Sequence, residues 1–161
     1  DNIVFTFQGD GDLAAIGTAE VIHAAARNEN LTVLFANNSN YGMTGGQMAP
    51  TTLVGQITTT TPKGRDPALA GMPIHITEMI SVLPIAYAAR GMITDPAEIR
   101  KTKSYIKKAF QAQIDRKGFS MVEILTPCPT NWHMAPLDAM ERVRTKVSDY
   151  YHLGELVDRR D

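Results

Sequence analysis

The chain has 161 residues, a formal net charge of -1 and 43% hydrophobic residues, a balance that suits one domain with a sizeable apolar core. Near-neutral charge removes the electrostatic case for nucleic acid or an anionic membrane surface as partner, and no apolar run approaches the length of a membrane-spanning helix or opens the chain as a signal peptide. A single cysteine, Cys128, excludes an internal disulfide and points to a reducing, cytoplasmic setting.

The chain opens on Asp1 without an initiator Met, two residues before an apolar run. We therefore expect residues 1–161 to be one domain, the C-terminal part of a longer polypeptide whose earlier residues pack beside that run. Ile3, Val4, Phe5, Thr6 and Phe7 are nearly all apolar and β-prone, which predicts a strand over 3–7 covered on both faces, as in parallel sheets. Residues 13–29 read as a helix, with Leu13, Ile16, Val21, Ile22 and Ala25 as its apolar side. Residues 31–35 predict a second buried strand, and strand, helix, strand in this order form a βαβ unit. Residues 37–73 are irregular and rich in Gly, Thr, Pro and Asn. A loop of that length in a compact domain carries function or is disordered; function is expected at its start, and residues 56–71 could serve as a partner-facing lid.

A short helix over 76–83 and a third strand over 85–92 follow. Asp95, Pro96 and Glu98 form a helix start: Asp95 caps, Pro96 takes the first helical position and Glu98 completes a capping box. The helix should run to about residue 117, bury Ile99, Ile106, Phe110 and Ile114, and end at Gly118. Residues 119–125 alternate enough to predict a last strand near a sheet edge, and a final helix is expected over 136–151. The whole reads as an α/β fold, a mostly parallel sheet with helices on both faces in three layers.

Two stretches carry chemistry. Gly9, Asp10, Gly11 and Asp12 leave the first strand and open the first helix. Asn37, Asn38, Ser39, Asn40, Tyr41, Gly42, Met43, Thr44, Gly45, Gly46 and Gln47 leave the second strand as a polar, glycine-rich loop. Alone, Asp10 reads as readily as a turn and cap residue. The step from Asp10 to Asn38 changes the balance, because it is the span needed to climb a helix and return along the neighbouring strand. Asp10, the amide of Asn38 and the carbonyl of Asn40 can then face one hard cation such as Mg²⁺, which prefers oxygen ligands and phosphate. Gly11 and Asp12 offer backbone N–H groups to a diphosphate. Cys128, by composition, is a small buried hydrophobe. His23, His75, His133 and His152 share no metal-ligand spacing, and the Lys-rich face of the helix after Pro96 reads as a solvated one.

The pair G-D-G-D and N-N-x-N-Y-G-M-T-G-G-Q resembles the thiamin-diphosphate motif in β subunits of 2-oxoacid:ferredoxin oxidoreductases. Gly64, Arg65, Asp66 and Pro67, and then Cys128, Pro129, Thr130 and Asn131, extend the resemblance over most of the chain. It implies a thiamin-diphosphate-binding fold, Mg²⁺ held by Asp10, Asn38 and Asn40, the diphosphate against Gly9, Gly11 and Asp12, and Tyr41, Gly42 and Thr44 close to cofactor and substrate. It further implies Cys128 as one thiolate of a [4Fe-4S] cluster whose other three ligands lie outside this chain. It implies no catalytic side chain of this chain's own, and an α subunit carrying the aminopyrimidine side of the site with its activating glutamate, so that Glu20 has no such role. The implied activity is oxidative decarboxylation of a 2-oxoacid to acyl-CoA with electrons passed to ferredoxin, and the isolated chain should be inactive. The rivals are another thiamin-dependent decarboxylase, a nucleotide-binding βαβ domain, and a non-catalytic interaction module. The nucleotide reading lacks the third glycine of G-x-G-x-x-G.

Overall fold

The computed structural model describes residues 2–160. Five strands, β1 (Phe5–Gly9), β2 (Thr32–Asn37), β3 (Tyr87–Met92), β4 (Ser120–Leu125) and β5 (Gly154–Asp158), form one sheet in the order β1-β2-β4-β3-β5. The first four run parallel and β5 pairs antiparallel with β3. Helices α1 (Thr18–Ala26), α2 (Pro67–Ala70), α3 (Ile76–Ser81), α4 (Pro96–Ile114), α5 (Pro129–Trp132), α6 (Pro136–Arg142) and α7 (Ser148–Tyr150) complete it, with π-helical turns at Asp12–Ile16 and Val143–Val147. None of the described helices is long and apolar enough to cross a membrane.

Because successive strand residues point to opposite faces, the sheet builds two cores. Val33, Phe35, Ala88 and Met121 pack against Leu13, Val21 and Ala25 on one side of the chain's first crossover and against Ile76 and Ile80 of α3. Leu34, Ala89, Val122 and Ile124 meet Tyr105, Ala109 and Ala112 of α4 on the opposite face. Helices therefore cover both faces of a mostly parallel sheet, as expected. A third cluster, of Leu53, Met92, Leu125, Val143, Val147 and Tyr151, closes the carboxyl ends of β3 and β4.

Several expectations need correction. The first strand spans Phe5–Gly9, and it lies at an edge with Ile3, Val4, Phe5 and Phe7 exposed, Phe7 by 66%. Conversely β4 is the central strand, with all six residues buried. Its alternation misleads because the polar members are satisfied inside: Ser120 Oγ lies 3.0 Å from Thr32 Oγ1 and donates to the carbonyl of Ala109 at 2.9 Å. It is also not the last strand, since β5 follows. In α4, Asp95 does cap, accepting from the backbone of Ala97 and Glu98, but the buried stripe is Thr102, Tyr105, Ala109 and Ala112, while Ile99, Ile106 and Phe110 are half-buried and Ile114 is exposed. The helix ends at Ile114 rather than running to Gly118. Ile16, placed on the apolar side of the first helix, is 90% exposed, because the π-helical turn and Gly17 interrupt the regular periodicity there.

One side chain gathers much of the long segment after β2. Arg65, buried, donates six hydrogen bonds, all to backbone carbonyls: Gly71, Ala49, Pro50, Thr52, Ala70 and Met72, at 2.7–3.3 Å. A guanidinium has five N–H donors in a fixed fork, one of them shared here between two carbonyls, so it ties the middle of this segment, residues 49–52, to its far end at residues 70–72.

Candidate functional site

With β1, β2, β3 and β4 parallel, their carboxyl ends share one edge, the usual place for a ligand in such sheets. Gly9 ends β1 and Asn37 ends β2, paired one residue apart in register, so the two motifs must meet. They do: the backbone N–H of Asn38 donates to Asp10 Oδ1 at 3.2 Å across 28 residues of sequence. All nine residues assigned to the cofactor, Gly9, Asp10, Gly11, Asp12, Asn38, Asn40, Tyr41, Gly42 and Thr44, line one cavity of about 520 Å³, with Ala15, Ile16 and Met43 as apolar neighbours. The exposed Ile16 is thus a wall of this cavity and not a packing error.

The loop is shaped to keep the cavity open. Tyr41 and Gln47 bridge its base, with Tyr41 N donating to Gln47 O at 3.0 Å. Gly46 has φ +79, and a Cβ there would press on the Asn131 side chain at 3.1 Å, so only glycine fits. Asn131 in turn donates to the carbonyl of Gly42 at 3.0 Å and reaches Cys128 Sγ at 3.4 Å. Cys128 does not line the cavity. It sits half-buried at the cap of α5, joined to the glycine loop through Asn131. His75 stacks on Tyr150 with ring centroids 4.6 Å apart, a packing role.

Asp10 is only 2% exposed. Burial pushes its carboxyl up to about 7, against the pull of Thr51 Oγ1, which donates at 2.5 Å, and of the Asn38 N–H; the charge on Glu123 raises it further. A carboxyl desolvated in this way would be stabilised in its charged form by a cation. Nearby, Asn40 Oδ1 is buried with no hydrogen-bond partner, while Asn38 Oδ1 accepts from Asn40 N at 3.3 Å. A buried acceptor with a free lone pair beside a desolvated carboxyl fits a donor or a cation. Among the described residues, no cluster of three or more His, Cys, Asp or Glu side chains is placed to hold a metal. A cation here would therefore rely on one carboxylate and neutral oxygens, a set that suits Mg²⁺ and leaves positions for phosphate.

The sequence reading missed two things. Thr51, the donor to Asp10, comes from the irregular segment, where nothing local marks it. A polar chain beneath the site was also missed: Asn37 Nδ2 donates to Glu123 Oε1 at 2.7 Å, and Arg90 Nε donates to Glu123 Oε2 at 2.7 Å. The available signal was a pair of opposite charges, Arg90 and Glu123, each inside an otherwise apolar strand.

A family model described as thiamine pyrophosphate enzyme, C-terminal TPP binding domain, matches residues 1–124. The chain belongs to that family. Among its relatives, the ketoisovalerate oxidoreductase subunit VorA of Methanothermobacter thermautotrophicus is 53% identical over 132 residues, 81% of this chain and 28% of the relative. The 2-oxoglutarate synthase subunit KorB of Archaeoglobus fulgidus is 39% identical over 141 residues, 88% of this chain and 49% of the relative. A solved structure of 2-oxoglutarate:ferredoxin oxidoreductase from Magnetococcus marinus, with 2-oxoglutarate, coenzyme A and succinyl-CoA bound, superposes with a TM-score of 0.69 at 28% identity, covering 84% of this chain and 42% of that one. This TPP-binding domain thus spans half or less of each of these relatives. The resemblance to 2-oxoacid:ferredoxin oxidoreductase subunits and the thiamin-diphosphate-binding α/β fold are both borne out.

Proposed function

We propose that this chain holds the diphosphate and Mg²⁺ of thiamin diphosphate in a 2-oxoacid:ferredoxin oxidoreductase, an enzyme that converts a 2-oxoacid and coenzyme A to acyl-CoA. The observation that carries this reading is the convergence of the buried Asp10 carboxyl with Asn38 and the orphan Asn40 Oδ1 in the wall of the glycine-lined cavity. Asp10, Asn38 and Asn40 would hold the cation, with Asn40 offering its side-chain oxygen as well as the backbone carbonyl. Gly9, Gly11 and Asp12 would offer their backbone to the diphosphate, and Tyr41, Gly42 and Thr44 would border the rest of the cofactor. When bound, thiamin diphosphate supplies the electron sink for decarboxylation; the chain's own residues bind and orient it.

Cys128, beside the same loop, is proposed as one thiolate of a [4Fe-4S] cluster, with the other three supplied from outside this chain. Ferredoxin as acceptor and a second subunit covering the aminopyrimidine side complete the proposal. The relatives' names include both a branched-chain 2-oxoacid and 2-oxoglutarate, so the substrate class is 2-oxoacid. Two measurements test it. Asp10→Ala should abolish Mg²⁺-dependent thiamin diphosphate binding by calorimetry, and unchanged binding would refute the site. The assembled protein should reduce a low-potential dye in the presence of coenzyme A and one of a panel of 2-oxoacids.

A further inference from the structure

Glu123 is fully buried in the central strand, and its carboxylate accepts from three donors: Asn37 Nδ2 at 2.7 Å, Thr77 Oγ1 at 2.5 Å and Arg90 Nε at 2.7 Å. Arg90 is itself fully buried, and its remaining nitrogens reach Glu78 at 2.6–2.8 Å and the carbonyl of His152 at 3.0 Å. The consequence lies at Asn37. An ionised carboxylate can only accept, so it admits the amide in one orientation, Nδ2 inward and Oδ1 outward. Asn37 Oδ1 then accepts from the backbone N–H of Ser39 at 3.0 Å. Ser39 has φ +58, a conformation uncommon outside glycine, and it stands between Asn38 and Asn40. Its carbonyl is pinned in turn by Thr52 Oγ1 at 2.7 Å and Gln56 Nε2 at 2.9 Å.

We propose that Glu123 is a positioning residue for the cation site: through the fixed amide of Asn37 it holds the left-handed turn at Ser39 that presents Asn38 and Asn40 toward Asp10. This rests on the cation reading given above. The requirement is for an acceptor-only group at position 123. Glutamine has nearly the same shape, but its NH₂ would oppose either Asn37 Nδ2 or Arg90 Nε. The first case turns the Asn37 amide over and takes the acceptor away from Ser39.

The test uses the complete protein with its co-purifying subunits, and follows Mn²⁺ in place of Mg²⁺ by electron paramagnetic resonance in the presence of thiamin diphosphate. Glu123→Gln should weaken Mn²⁺ binding by on the order of 10- to 100-fold, the usual effect of losing a group that orients metal ligands. The double variant Asn37→Asp with Glu123→Gln reverses the polarity of the same hydrogen bond at constant charge and should recover affinity to within about threefold of the parent. Thr77→Val removes a donor to Glu123 without touching Asn37, so it should lower thermal stability and leave Mn²⁺ affinity unchanged. Glu123→Gln that folds and binds Mn²⁺ as the parent does overturns the proposal. So does a double variant that binds no better than the single one or does not fold. Asp10→Ala separates the two levels: if it leaves Mn²⁺ affinity intact, the cation reading itself fails. If it abolishes binding while Glu123→Gln has no effect, only the positioning role fails.

Discussion

Raising the pH without a divalent cation should destabilise this domain, and Mg²⁺ with thiamin diphosphate should reverse the loss. Asp10 is the cause. Its carboxyl is pushed up to about 7 in the folded chain against an ordinary 3.8, because burial penalises the charged form. A group whose folded value is the higher one binds its proton more tightly when folded. Its contribution is therefore fully present below about pH 3.8 and lost as the pH rises through about 7. A rise of about three pK units at ~1.4 kcal/mol each sets the scale at roughly 4 kcal/mol, a large part of the stability of a domain this size. A cation takes the place of the proton, so below about pH 7 the apparent Mg²⁺ affinity should weaken by up to about tenfold per pH unit. The assay is chemical denaturation at a series of pH values, with and without Mg²⁺ and thiamin diphosphate, for the parent and for Asp10→Asn. The amide cannot ionise, so the difference between the two curves isolates this carboxyl. If that difference does not change between about pH 4 and 7.5, the reasoning from burial is refuted.

Three further outcomes are expected. Thr51→Val removes the 2.5 Å donor to Asp10; it should move the midpoint of that pH transition upward, measured by the same denaturation series, and weaken Mg²⁺-dependent cofactor binding. Arg65→Gln leaves most of six backbone carbonyls without their donor and should cost about 3–5 kcal/mol, with hydrogen exchange rising selectively over residues 49–72. In Gly91→Ala the new Cβ would stand 2.9 Å from Thr102 Cβ on α4, so the helix must shift; a loss of about 1–3 kcal/mol by thermal denaturation is expected although the change is only one methyl.

Much of the site was legible from residue order alone because it is built from local pieces. Gly9, Asp10 and Gly11 at a strand exit, Asn38 at the next and the cap at Asp95 each depend on a few neighbouring residues. The span between Asp10 and Asn38 is set by one crossover helix, so their meeting across 28 residues follows from chain geometry. Strand order does not follow in this way. The insertion of β4 between β2 and β3, which buries every residue of a strand that alternates polar and apolar and leaves the apolar β1 at an edge, depends on pairings over 80 residues apart in the chain. Residues 119–125 read as a strand near an edge for that reason, and only when Arg90 and Asn37 lie on its two sides does Glu123 become a buried anchor. Thr51 and Arg65 belong to the same class: a hydroxyl and a guanidinium in an irregular segment acquire a role only through the carboxylate and the carbonyls that folding brings to them. Local sequence determined which oxygen and N–H groups stand at the two strand exits of the candidate site; tertiary pairing decided what holds those groups still, because each buried charge needs partners and those partners are distant in the chain.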